Sequence, residues 1–170
     1  MNQPIFSNAT ADDASEILAL LQAVQLPHEG VLEHLSSFTI VRDDAGKLIA
    51  CAGVEHYGDI GLLRSVAVVP GGQKTGLGTR LIESVLTQAA QSGIVEMVLL
   101  TTTARDFFAG KLGFQVTSRE PYQERLAASP EWQLPRCASA VVMKKDLAVK
   151  EWDCLIKPTP MQCQMMGEGP

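Results

Sequence analysis

Residues 66–81 have the sequence VAVVPGGQKTGLGTRL. The apolar run from Val66 to Val69 predicts the end of a strand, and the apolar periodicity that begins at Leu77 predicts a helix. A glycine-rich segment joins these two elements. Because the first amides of a helix lack internal acceptors and the helix dipole favours negative charge, this junction is typical of a phosphate-binding loop.

The residues around the glycines distinguish among phosphate-binding loops. A Walker loop needs Lys and then Ser or Thr directly after its last glycine, whereas Leu77 follows Gly76. A dinucleotide-binding loop needs a third glycine where this chain has Leu81. Residues 73–78, QKTGLG, instead resemble the Q/R-x-x-G-x-G/A loop of the GCN5-related N-acetyltransferases, the GNAT family, which holds the pyrophosphate of acetyl-coenzyme A. An ordinary glycine-rich turn is the alternative interpretation.

The predicted order of elements agrees with this resemblance. Local patterns predict strands at 5–10, 38–42, 47–55, 60–68, 95–100, 114–119 and 139–145, and helices after Asp12 or Asp13 and at 31–35, 76–93 and 104–112. This order favours an α/β fold (α+β mixed sheet) of about seven strands with helices on both faces, the GNAT-like acyl-CoA N-acyltransferase fold. We expect the domain to cover residues 3–147, followed by a C-terminal tail of uncertain structure at 148–170.

Composition restricts the class of protein. The chain has 170 residues, of which 46% are hydrophobic, and this length and composition suit one domain with a sizeable core. Its net charge of −5 argues against nucleic acid or an anionic membrane as a partner. Without a membrane-length apolar run or a signal-like N-terminus, we expect a cytoplasmic protein. The four cysteines are too widely spaced for a zinc site, so we predict reduced, structural thiols and no metal.

The GNAT resemblance implies acetyl-CoA as co-substrate and assigns residues to it. Main-chain groups of Val66, Ala67 and Val68 would bind the pantetheine arm. The pyrophosphate would be bound by Gln73, Lys74, Thr75, Gly76, Leu77, Gly78 and Thr79. Thr101 matches a position that contacts the cofactor arm in the family, whereas Thr102 or Thr103 could cap the following helix.

Amine acetylation also needs a proton acceptor for the attacking amine. Glu55 ends one strand and Arg64 lies in the next, so the hairpin between them could bring the two residues face to face. We expect Glu55 to act as the base, while Arg64, with its neighbour Ser65, binds an anionic group of a small amine substrate. A purely structural ion pair between Glu55 and Arg64 is the alternative.

Other positions give weaker indications of the acceptor site. Glu29 and His28, in the loop after the first helix, could line the acceptor pocket, and Arg119 could help to bind an anionic substrate. The usual base position of the family matches Leu62, and its thiolate-protonating tyrosine matches Phe107 or Phe108. Tyr57 and Tyr122 are therefore the fallback acids, and water is the other proton source for the thiolate.

Short strings also resemble one branch of the family. Residues 62–68, 99–104 and 137–140 are similar to arsenic-resistance acetyltransferases, which implies an amino-acid-like arsenical or phosphinic antibiotic as acceptor and a role in detoxification. An acyl-CoA-sensing regulatory module and a protein or peptide N-acetyltransferase are the alternatives. The tail could dock on the domain or on a second copy in a homodimer, or it could be a disordered end.

Overall fold

A computed structural model of the protein describes residues 3–147, which contain one mixed sheet and four helices. The sheet has seven strands in the order β1-β2-β3-β4-β5-β7-β6. The strands are β1 Ile5–Asn8, β2 Phe38–Arg42, β3 Leu48–Tyr57, β4 Ile60–Val68, β5 Glu96–Thr101, β6 Gln115–Thr117 and β7 Val141–Asp146. The helices are α1 Ala14–Ala23, α2 Leu77–Gln91, α3 Arg105–Leu112 and α4 Pro130–Gln133. The predicted mixed sheet of about seven strands is confirmed.

Helices cover both faces of the sheet. One core lies between the sheet and the apolar faces of α2 and α3, where Leu81, Ile82 and Phe108 contact strand residues. On the other face, α1 packs on β2 and β3 through Ile17 and Leu21. A third cluster joins β4, β5 and β7 to residues 122–132. The site described below lies on the face covered by α1 and this last segment.

The pairing of β3 with β4 differs from the predicted arrangement at one point. The tight turn at Gly58 and Asp59 sets Tyr57 opposite Ile60, which places Glu55 opposite Leu62 and Arg64 opposite Gly53. Glu55 and Arg64 are therefore diagonal neighbours, not directly opposed residues. Both side chains still project from the same face, because their partners differ by two positions along the strand.

Strands β4 and β5 separate part-way along their length. Their parallel pairing runs from Ile60↔Glu96 to Leu63↔Leu99 and stops there, although both strands continue. At this point β4 also has a bulge: Ser65 and Val66 lie opposite the single residue Ala52, and Ser65 has a positive φ of 55°. The bulge redirects residues 66–68 and opens a gap between two neighbouring strands.

Two local predictions are wrong. Residues 31–35 were expected to form a helix. They form a series of turns instead, with hydrogen bonds between residues three positions apart, such as the one that the His34 N–H donates to the Val31 carbonyl. A 3₁₀ turn follows at Leu35–Ser37. A helix this short fixes many dihedral angles for few bonds. Neither Thr102 nor Thr103 caps α3; the Ala104 N–H donates instead to Thr101 Oγ1 at 3.0 Å.

The remaining predicted strands and helices are present, with small shifts at their ends. Gly113 ends α3 in the left-handed conformation, as its position after Leu112 predicted. Cys51 and Cys137 are buried free thiols, and burial raises the pKa of Cys51 to about 12. Within the described part of the chain, no helix combines the length and the apolar character that crossing a bilayer requires. The tail at 148–170, including Cys154 and Cys163, lies outside the described residues.

Candidate functional site

The glycine-rich loop presents backbone donors at the start of α2. Gly76 caps the helix with φ 82°, and the first helical bond runs from the Arg80 N–H to the Gly76 carbonyl. The amides of Leu77, Gly78 and Thr79 precede this bond, so they lack acceptors within the helix. The first turn of α2 carries no acidic residue. These donors, together with the dipole of a fifteen-residue helix, suit a bound anion.

Side chains of the loop stabilise its own backbone. Thr75 Oγ1 donates to the Gly72 carbonyl at 2.7 Å, and Gln73 Nε2 donates to the Val68 carbonyl at 3.4 Å. A Cβ atom at Gly76 would contact nothing within 4 Å. The loop therefore leaves open space around its central glycine, which a bound group can approach closely.

The gap between β4 and β5 begins beside this loop. Residues 66–68 have no register partner on β5 in the described sheet, while Val66 and Val68 pack their side chains against the α2 core. Apart from the Val68 carbonyl, which accepts from Gln73 Nε2, their main-chain groups on the β5 side have no partner on that strand and are available to an extended ligand. Thr101 lies on the far side, at the end of β5, where it is buried and accepts the Ala104 N–H.

A buried cluster of charges lies at the head of the gap. Arg64 has a fully buried side chain and donates from Nη1 to Glu55 Oε2 at 2.9 Å. Its Nε lies 3.1 Å from Glu131 Oε2 and 3.2 Å from Ser65 Oγ. Its Nη2 is buried without a hydrogen-bond partner among residues 3–147. One guanidinium thus holds two carboxylates and retains an unused donor.

Glu55 is enclosed by donors. Besides the Arg64 bond, Glu55 Oε1 accepts the Tyr57 hydroxyl at 2.5 Å and lies 3.4 Å from His34 Nε2. The Glu55 side chain is 0% exposed, whereas that of His34 is 25% exposed. Burial and, next, the hydrogen bond to Glu55 raise the pKa of Tyr57, which keeps its hydroxyl protonated. Glu55 is therefore surrounded by donors, and two of its partners, His34 and Tyr57, are themselves partly exposed.

Glu131 was not anticipated from the sequence. It lies in the short helix α4, whose start is marked by Ser129, which accepts the Trp132 N–H, and by Pro130 at the first helical position. These signals predict a helix start, but no periodicity relates Glu131 to Arg64, 67 positions earlier. Burial raises the pKa of Glu131 to about 7, against the opposing effect of Arg64.

The loop after α1 lies against the same cluster. A Cβ at Gly30 would come within 2.9 Å of the Pro130 side chain and 3.0 Å of Arg64 Nη1, so glycine allows this close approach. Glu29 pairs with Arg136 across the opening, and both side chains are exposed. The pKa of Glu29 is lowered, first by a backbone hydrogen bond and then by the Arg136 charge. The predicted residue Glu29 thus lies at the rim of the site.

Arg119 has a different environment from the one expected. Its guanidinium carbon lies 4.5 Å from the centre of the Trp132 ring, and its Nη2 donates to the Cys137 carbonyl. These contacts join Arg119 to the segment that carries Glu131. Tyr122, the second fallback acid, is buried in the cluster behind this segment.

No group of three or more metal-ligating side chains is found within residues 3–147.

Comparison with known proteins identifies the family. Residues 34–116 match the model of the acetyltransferase (GNAT) domain. An amino-acid acetyltransferase of Neisseria meningitidis serogroup A is 30% identical over 127 residues, which cover 68% of this chain and 28% of the relative. The corresponding protein of Ralstonia nicotianae is 29% identical over 146 residues, covering 81% of this chain and 31% of that protein. This chain thus spans less than a third of the length of these relatives.

Solved structures agree with these sequence matches. N-acetylglutamate synthase from Neisseria gonorrhoeae, complexed with coenzyme A and N-acetyl-glutamate, superposes with a TM-score of 0.72 at 25% identity, over 86% of this chain and 36% of that chain. A GNAT acetyltransferase from Staphylococcus aureus Mu50 shares the fold, with a TM-score of 0.68 at 14% identity over 86% of this chain and 100% of that chain. The family match, together with the splayed strands and the glycine-rich helix start, shows that this chain contains a GNAT acetyltransferase domain.

Proposed function

We propose that this protein transfers acetyl from acetyl-CoA to the primary amine of a small, anionic amino-acid acceptor. The observation that carries this proposal is the buried Arg64, whose Nη2 has no hydrogen-bond partner among residues 3–147 and which is the first residue of β4 after its last pair with β5. An anion that accepts from Nη2 would satisfy an otherwise unpaired buried donor. The acceptor carboxylate is such an anion.

The donor site is proposed to combine the loop and the gap. Amides of residues 77–79 would bind the pyrophosphate, with Gln73, Lys74 and Thr75 shaping the loop around it. Main-chain groups of residues 66–68 would bind the pantetheine arm along the gap, with Thr101 on its far side. The solved relative that holds coenzyme A supports this assignment. In this arrangement the thioester end lies near Arg64.

The acceptor is proposed to be an amino acid, with glutamate as the first candidate. The names of the curated relatives and the N-acetyl-glutamate bound by the Neisseria gonorrhoeae protein support this class. Arg64, together with Ser65, would hold the carboxylate, and Glu29 would line the entrance opposite Arg136. An arsenical or phosphinic amino acid, which the narrower resemblance suggested, has no support from the compared proteins and enters only as a member of the acceptor panel.

The reaction needs a neutral amine beside the thioester carbonyl. Glu55 is the base that the sequence suggested, and the contact with His34 would give its proton a path to solvent. Its full burial and its bonds from Arg64 and Tyr57 equally suit a positioning role, in which Glu55 fixes the guanidinium. Substitution of Glu55 by Gln separates these roles, because Gln can still accept from Arg64 but cannot take up a proton.

The direct test is acetyl-CoA-dependent release of free thiol. Purified protein would be assayed against a panel containing glutamate, other amino acids, arsenical and phosphinic amino acids, and peptide amines. We expect turnover with an anionic amino acid, and mass spectrometry should find one added acetyl group on its amine. Binding of acetyl-CoA without thiol release from any amine would overturn the proposal and favour an acyl-CoA-sensing module.

A matched pair of glycine variants tests the donor site. Gly76 and Gly71 both have positive φ values, 82° and 94°, and a Cβ at either meets nothing within 4 Å. Alanine should therefore cost similar backbone strain at both positions. We expect Gly76→Ala to weaken acetyl-CoA binding about tenfold in calorimetry, since it distorts the helix start, and Gly71→Ala to leave binding nearly unchanged. Equal effects of the two substitutions would argue against the proposed pyrophosphate site.

A further inference from the structure

We propose that Glu131 binds the acceptor ammonium and takes one proton from it, while Arg64 holds the carboxylate of the same molecule. The inference rests on the proposed function and adds a catalytic residue that lies outside the β3–β4 hairpin. The two carboxylates that share the Arg64 guanidinium, Glu55 and Glu131, are not equivalent.

The two carboxylates differ in how completely their oxygens are used. Glu55 accepts from Arg64 and from Tyr57, lies beside His34, and has no exposed side-chain surface. Glu131 Oε2 lies 3.1 Å from Arg64 Nε, no hydrogen bond to the Glu131 carboxylate is found from residues 3–147, and its side chain is 8% exposed. A carboxylate accepts up to about four hydrogen bonds. Glu131 therefore has acceptor capacity for a ligand, whereas Glu55 is committed to protein donors.

The position of Glu131 matches the place where an amine must arrive. Arg64 is the first residue of β4 beyond the last β4–β5 pair, so its side chain lies where the gap opens. Glu131 contacts Nε of this guanidinium whereas Glu55 contacts Nη1, and the helix that carries Glu131 places Pro130 close to Gly30. An amino acid with its carboxylate on Arg64 Nη2 would bring its ammonium within reach of the neighbouring Glu131, since both groups stem from one carbon.

The charges around Glu131 suit exchange of a proton near neutral pH. Burial raises its pKa to about 7, so a carboxylate with a solvent-exposed edge can both accept and release a proton. The groups that act on it come from three parts of the chain. They are Arg64 and Glu55 from the sheet, Glu29 from the loop after α1, and Arg136 and Cys137 from the segment after α4.

The proposed step balances protons and bonds. One proton passes from the acceptor ammonium to Glu131, and the neutral amine attacks the thioester carbonyl carbon. The new C–N bond forms, the C–S bond breaks, and the second amine proton goes to the departing thiolate to give free thiol. Glu131 then releases its proton to solvent, so acetyl transfer from an ammonium yields amide, thiol and one proton.

The kinetic test compares four variants with the best acceptor of the panel. Glu131→Gln should lower kcat/KM about a hundredfold and abolish the decline of kcat/KM below pH 7. Glu131→Asp should retain that decline at a reduced rate. Glu124→Gln, the same change at an exposed position of the same segment, should behave like the wild type. Because His34 contacts the other carboxylate of the cluster, Glu55, His34→Gln is measured alongside.

Two results would overturn the inference. One is an unchanged kcat and pH profile in Glu131→Gln. The other is a pH dependence that persists in Glu131→Gln but disappears in His34→Gln, which would assign proton uptake to the Glu55–His34 pair. If the wild type releases no thiol with any amine, the proposed function fails instead, and the second measurement below still decides the role of Glu131.

The second measurement needs no turnover. Binding of L-glutamate and of N-acetyl-L-glutamate is compared by calorimetry in the presence of coenzyme A. A carboxylate that binds the ammonium should make Glu131→Gln bind L-glutamate about tenfold more weakly, while binding of the acetylated compound, which has no ammonium, should change little. Equal changes for both compounds, or none for either, would overturn ammonium binding by Glu131.

Discussion

Arg64 shows how one buried residue organises a site. Its guanidinium is fully enclosed and holds Glu55 and Glu131 at 2.9 and 3.1 Å. Removing charges from water is costly, and pairing compensates only when the geometry is good. Two carboxylates on one cation leave a surplus negative charge. Burial is the main cause of the raised pKa of Glu131, and the charge of the nearby Glu55 raises it further.

The raised pKa of Glu131 predicts that the stability of the protein depends on pH. Glu131 is protonated more readily in the folded protein, with a pKa of about 7, than at its usual value of 4.5. Its contribution to stability is therefore complete below about pH 4.5 and is lost as pH rises through 7. Glu131→Gln cannot titrate, so its stability relative to the wild type should increase from pH 5 to pH 8 by on the order of 3 kcal/mol.

Urea unfolding at four pH values between 5 and 8 measures this trend. Glu124→Gln serves as the control, because its exposed carboxylate should give no such dependence. Parallel stability curves for the wild type and Glu131→Gln would contradict the raised pKa.

At the scale of elements, the packing of β3 against β2 requires a glycine, Gly53. Gly53 lies in the middle of this strand, opposite Arg64 on one side and Phe38 on the other. A Cβ at this position would lie 2.3 Å from the Phe38 ring. Glycine lets the ring lie directly on the strand backbone, which fixes β2 and β3 beneath the charged cluster.

Matched glycine-to-alanine substitutions test this packing. Gly53→Ala should destabilise the protein by about 1–3 kcal/mol, because the ring or the strand must move. Gly110 lies in α3, has no positive φ, and has nothing within 4 Å of its missing Cβ. Gly110→Ala should therefore stabilise by roughly 0.5–1 kcal/mol, as expected inside a helix. Urea unfolding measures both, and destabilisation of the same size at both positions would show that backbone entropy, not the ring, dominates.

At the scale of the whole molecule, the two halves of the site come from different structural units. The proposed donor side uses β4, its loop and α2, all local in sequence. The acceptor side is closed by residues 118–140, which Trp132 anchors by packing in the third core cluster, by a bond to Gln123 at 3.1 Å and by its contact with Arg119. The two halves should therefore respond separately to substitution.

Trp132→Ala should affect acceptor binding and spare donor binding. Loss of this anchor loosens the segment that positions Glu131, so the acceptor KM should rise about tenfold or more. The Kd for acetyl-CoA should stay nearly constant, because α2 and its loop do not contact this cluster. Steady-state kinetics and calorimetry measure the two quantities. Val116→Ala, at a half-exposed strand position, is the control, and a parallel loss of acetyl-CoA binding would contradict the separation.

Local patterns were sufficient to predict the fold and the glycine-rich start of α2. Alternation and turn residues identified the hairpins, helical periodicity identified α2, and the glycines identified its start, since each depends on neighbours within a few positions. The prediction of a helix at 31–35 was wrong because local patterns do not report contacts with distant residues. In the structure this segment follows a series of turns, and its His34 contacts the distant Glu55.

The sequence by itself thus determined the order of elements, the mixed sheet and the glycine-rich helix start that follows β4. Only the tertiary structure revealed that Glu131 reaches Arg64, that Arg119 stacks on Trp132, and that Gly30 lets a loop close over the cluster. The physical reason is range. Hydrogen bonds and periodicity inside an element depend on residues that are close in sequence. The charge environment of a buried group depends instead on which distant segments pack around it.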